Sequence, residues 1–98
     1  LNLNQTINLY LAPLGTARYK DSPMLCTLLL REDGLRITPA DEAIVELQRK
    51  SDNVIHRIDR SQRLKTEVKN GEEEGFALHL KHKGGEGLSS HSVWKFKW

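Results

Sequence analysis

Met24-Leu25-Cys26-Thr27-Leu28-Leu29-Leu30-Arg31-Glu32-Asp33-Gly34-Leu35-Arg36-Ile37 is the stretch that decides the fold. Two apolar runs flank Asp33-Gly34. Asp-Gly in that setting is a strong short-range hairpin signal, because both positions tolerate positive φ. The first run is apolar enough to be a strand buried on both faces. The second sets Leu35 and Ile37 on one side and Arg36 on the other, the period of two expected of a half-buried strand. A hairpin here predicts an antiparallel sheet, so the flanking segments are read as candidate neighbours.

Toward the N-terminus, Ile7, Leu9 and Leu11 alternate with Thr6, Asn8 and Tyr10, which predicts a strand ended by Pro13 and Gly15. Toward the C-terminus, Thr38-Pro39-Ala40-Asp41 has the form of a helix start. Thr38 would be the N-cap, Pro39 the first helical position, and Asp41 and Glu42 the acids of the first turn. Ala40, Ala43, Ile44 and Leu47 then fall on one helical stripe. A short strand over residues 43–47 competes, since Ile44 and Val45 are β-branched. The helix reading, residues 39–50, is preferred, with Ser51-Asp52-Asn53 as its stop. Val54-Ile55-His56-Arg57-Ile58 follows as a strand, and residues 64–69 as a weaker one ended by Asn70-Gly71. Phe76, Leu78 and Leu80 alternate with Ala77, His79 and Lys81 in a further strand. Residues 84–92 read as a Gly- and Ser-rich loop. Trp94, Phe96 and Trp98 then alternate with Val93, Lys95 and Lys97, a strand with an aromatic face and a mostly lysine face. The sum is a β-rich α+β chain: an antiparallel sheet or small, partly open barrel of about six to seven strands, with at most one substantial helix at about residues 39–50.

Ninety-eight residues make a single domain, residues 1–98. The chain begins at Leu1 and stops at Trp98 inside an apolar alternation, and we expect it to be a fragment of a longer chain. No apolar run comes near the roughly 20 residues a helical membrane span needs. Fifteen basic against thirteen acidic residues leave a net charge of +2, too little for a general affinity for polyanions. The excess is local: residues 1–60 carry eight of each sign, and residues 61–98 carry seven basic and five acidic. Cys26 is the single cysteine, so no internal disulfide forms, and we expect a cytoplasmic setting with Cys26 as a small buried hydrophobe.

Leu30-Arg31-Glu32-Asp33-Gly34-Leu35-Arg36-Ile37-Thr38, then Val54-Ile55-His56-Arg57-Ile58, then Gly75-Phe76-Ala77-Leu78-His79-Leu80, occur in an order that resembles the pleckstrin-homology and phosphotyrosine-binding superfold. About half the chain takes part in the resemblance. It implies a binding module whose strand at residues 54–58 is the edge that accepts an extended peptide. The helix that closes the barrel in that family has no counterpart in these residues, and no individual phosphate-binding residue carries over.

Catalytic constellations are not expected. Ser89, Ser90 and Ser92 lie near His91, but adjacency in sequence is not triad geometry. Gly84-Gly85-Glu86-Gly87 lacks the frame of a phosphate loop. His79 and His82, three apart on a strand, point to opposite faces, so no metal or cofactor is expected. The expectation is therefore a non-enzymatic module for protein–protein interaction, engaging a peptide or partner at a sheet edge or aromatic face. The candidate contact residues are Val54, His56, Arg57, Lys81, Lys83, Trp94, Lys95 and Lys97. Two alternatives stand beside it: a nucleic-acid or anionic-lipid surface made by the C-terminal lysines and aromatics, and a structural subunit that self-assembles into a homo-oligomer through its edge strands.

Overall fold

The computed structural model describes residues 1–10, 23–65, 72–82 and 88–97, with residues 82 and 88–97 described by their backbone. Eight strands make up the described secondary structure: β1 (Thr6–Tyr10), β2 (Met24–Arg31), β3 (Gly34–Pro39), β4 (Ala43–Arg49), β5 (Ile55–Ile58), β6 (Gln62–Leu64), β7 (Glu73–His82) and β8 (Leu88–Lys97). They form two four-stranded sheets, β1-β2-β3-β6 and β5-β4-β7-β8, with every pairing antiparallel. The chain is β-rich, its sheets are open, and no helix occurs among the described residues.

The β2–β3 hairpin is where the sequence places it. Arg31 pairs with Gly34, so Glu32 and Asp33 form a two-residue connection. Of the turn residues, Gly34 alone has positive φ, at 144°. A Cβ there would overlap the backbone carbonyl of Leu64, so the absent side chain is what lets β6 close onto β3. β2 is buried on both faces at its start, where the adjacent Leu25 and Cys26 are both inaccessible, and burial alternates beyond that point. Cys26, Leu28 and Leu30 are buried, while Thr27 and Leu29 between them are half-buried.

The segment read as a helix, residues 39–50, is instead a turn and a strand. Pro39 ends β3 opposite Cys26. Ala43 N–H donates to the Ala40 carbonyl at 3.1 Å, closing a turn in which Glu42 takes φ 64°. The acids that suggested a first helical turn occupy this corner, which carries the chain from one sheet to the other. Ala43, Val45 and Leu47 then face inward and Ile44, Glu46 and Gln48 outward. β4 pairs on both sides, with β5 and β7. That double ladder, with the β-branched pair Ile44-Val45, outweighs the helical stripe. Two other segments bear on the expected boundaries. Gln62–Leu64 forms a strand that overlaps the weaker one expected at residues 64–69 at Leu64, and residues 66–71 lie outside the described set. β8 begins at Leu88, so residues 88–92, read as loop, are strand.

The core lies between the sheets. Leu28, Leu30, Leu35 and Ile37 come from the first, and Val45, Leu47, Ile58, Phe76, Leu78 and Leu80 from the second. All are essentially inaccessible to solvent, and at roughly 25 cal/mol per Å² of apolar surface this burial dominates the stability. Cys26 shares that core, and burial pushes its thiol pKa up to about 12, so it behaves as the small hydrophobe its neighbours imply.

Candidate functional site

β5 is an edge strand. Among the described residues it pairs with β4 alone, through Val45–Ile58, Glu46–Arg57, Leu47–His56 and Gln48–Ile55. Its far side therefore presents the unpaired N–H and C=O groups of a sheet edge. Ile58 is turned into the core, which leaves Ile55 on the outer face, 61% exposed, with Val54 just before it at 47%. These two and Met24 are the exposed large hydrophobic residues among those described.

The turn before β5 is tightly specified. Asn53 adopts φ 57° and its N–H donates to the Arg49 carbonyl at 2.9 Å. Val54 N–H donates to Asp52 Oδ1 at 3.0 Å, and Arg49 Nη2 pairs with Asp52 Oδ2 at 3.1 Å. The Val54 N–H, foremost, and then the Arg49 charge hold the Asp52 carboxyl below the usual carboxylate range. Gln48 Nε2 donates to the Asn53 carbonyl, Ser51 Oγ bonds Glu74 Oε1, and Lys50 N–H donates to the Gly75 carbonyl at 3.0 Å. Side chains and backbone together thus set the position of the first residue of the edge.

On the outer face, a cross-strand row places Arg57 opposite Glu46 and Glu46 opposite His79, with Ile44 opposite Lys81 in the next row. These five side chains line an open depression of about 450 Å³ beside the edge. Of the residues expected from sequence, Val54 and Arg57 lie on the β5 edge and Lys81 joins Arg57 in this depression. His56 is half-buried opposite Leu47, and its Nε2 is buried without a hydrogen-bond partner among the described residues. Lys83 lies outside the described residues. Trp94, Lys95 and Lys97 belong to β8, opposite Phe76, Gly75 and Glu73. β8 is at the other end of the strand order, about 14 Å from β5 at the usual strand spacing, so the expected set divides between two edges.

Ile55, Ile44, Glu46 and His79 belong to the patch but were not among the expected contact residues. For Ile55 a signal existed: a four-residue strand with isoleucine at both ends must turn one of them outward. Ile44 and Glu46 were obscured by the helical reading of their segment. Among the described residues no three His, Cys, Asp or Glu side chains come together as a metal site, and no helix is long and apolar enough to cross a membrane. No family model, no curated protein and no solved structure matches this chain.

Proposed function

We propose that this chain is a non-catalytic interaction module that takes up an extended segment of a partner protein as an added strand along β5. The observation that carries the reading is an edge paired on one side, bearing exposed Val54 and Ile55 and positioned by the Asp52 turn. Main-chain hydrogen bonds would supply affinity, and alternate side chains of the added strand would supply selectivity. One face of that strand lies beside Ile55 and Arg57, with Lys81 in the same depression, so an apolar residue two positions from an acidic one is the preferred pattern. The pleckstrin-homology-like resemblance puts its accepting edge at the same residues, and a scaffold role in the cytoplasm is in keeping with a chain whose one cysteine is free and buried.

Selection from a library of extended peptides, followed by amide shift mapping, tests this. Selected peptides should perturb and protect the amides of residues 54–58, and Ile55→Lys or Arg57→Glu should weaken binding about tenfold while leaving the spectrum folded. Perturbation confined to β8 or to the first sheet would sink the β5 reading. Binding of oligonucleotides or acidic vesicles that falls steeply with salt would favour the polyanion alternative instead.

A further inference from the structure

The outer face of the first sheet carries a second open cavity, of about 680 Å³, whose lining includes Arg31, Arg36, Arg63, Asn4, Glu32 and Asp33. Arg36 stands directly opposite Arg63 in the β3–β6 ladder. Like charges in that position repel, so the pair gives the sheet nothing. Arg31, opposite Gly34, lies diagonally from Arg36, which is opposite Leu29. Three guanidinium groups thus gather where a folding argument alone would spread them.

Their partners are unequal. Arg63 Nη1 donates to Asp33 Oδ2 at 2.6 Å, and that bond, first of several causes, holds the Asp33 carboxyl below its ordinary range. Arg36 Nη1 donates to Ser61 Oγ at 3.3 Å, and Ser61 Oγ is in turn 3.2 Å from Thr38 Oγ1. Arg31 Nη1 is 3.5 Å from Asn4 Oδ1. Among the described residues, then, the side-chain hydrogen bonds of Arg31 and Arg36 go to neutral oxygens that orient a guanidinium without neutralising it, and Arg36 shares with Arg63 the single charge of Asp33. Each guanidinium has five N–H donors, so most of theirs stay available to the cavity. Several rigid donor forks around one space suit a multi-oxygen dianion better than a single carboxylate.

We propose that this cavity binds the phosphate group of a soluble phosphate monoester, with Arg31 and Arg36 as its principal donors and Arg63 joining them when Asp33 yields. This site is separate from the β5 edge and does not depend on it. Glu32 also lines the cavity and opposes the ligand, which gives the proposal a test in both directions.

The experiment titrates the folded chain with inorganic phosphate and with methyl phosphate at constant ionic strength, read by arginine side-chain and amide shifts. Saturable shifts should appear at Arg31, Arg36 and Arg63. Arg36→Gln should weaken binding about tenfold or more, the loss of a charge-assisted hydrogen bond, without lowering thermal stability, since it also removes the Arg36–Arg63 repulsion. Glu32→Gln should tighten binding several-fold. Shifts spread evenly over every basic residue, or unchanged by Arg36→Gln, would overturn the proposal. Retention on phosphatidic-acid vesicles without any response to methyl phosphate would also overturn it, by pointing to a membrane surface.

Discussion

Glu42 holds a conformation that a side chain with a Cβ adopts reluctantly. Its φ of 64° lies in the left-handed region, which costs an ordinary L-residue roughly 1–2 kcal/mol. Asn4 and Asn53 hold similar angles, and asparagine relieves that cost by local hydrogen bonding. Glu42→Asn is therefore expected to raise stability by about 0.5–1 kcal/mol, seen as a higher denaturant midpoint at unchanged m-value. Cys26 supports a second expectation. Its folded pKa is raised from 9.0 to about 12, so the thiol's contribution is fully present below pH 9.0 and is lost as pH rises toward 12. Thiol reagents should label native protein at the rate of opening, and Cys26→Ala should flatten the alkaline loss of stability. Burial of Cys26 was legible in its apolar neighbours. The conformation of Glu42 was not, because glutamate carries no turn signal and its acidity suits a helix start as well as a corner.

β4 shows how local pattern and sheet pairing compete. Ala43 and Leu47 belong to both the helical stripe and the inward face of the strand, so they could not discriminate between them. Ile44 and Val45 could: a helix buries Ile44, whereas the strand buries Val45 and leaves Ile44 half-buried. Val45→Ala is expected to cost about 2 kcal/mol and Ile44→Ala less than half of that, measured by chemical denaturation. The β4–β5 turn adds an acid-dependent effect. Asp52 has a depressed pKa, so its support for the start of β5 is present above its ordinary value of 3.8 and is lost as pH falls through the lower folded value. The Val54 amide should titrate with a midpoint below 3.8, and its hydrogen-exchange protection should fall in Asp52→Ala. The candidate site was partly legible for the same reason. A strand over residues 54–58 could be read from its residues, but its place at an edge, and the meeting of Arg57 with Lys81, depend on which strands pair.

At the scale of the molecule, the hairpin and most strands could be read from residue alternation, whereas the partition into two sheets could not. Neighbours in sequence pair in β1-β2-β3, β4-β5 and β7-β8, and short connections announce the β2–β3, β4–β5 and β7–β8 pairs. The β3–β6 and β4–β7 pairings join segments distant in sequence, and no local pattern encodes them. β6 is the decisive case: three residues that leave the second sheet to complete the first. Because of that excursion, neither layer is a contiguous stretch of polypeptide, and no single scission divides the chain into one layer per piece. Severing the main chain between Ala40 and Asp41 should leave two fragments that are each unstructured alone yet reconstitute the sandwich when mixed, as far-ultraviolet circular dichroism and size exclusion would reveal.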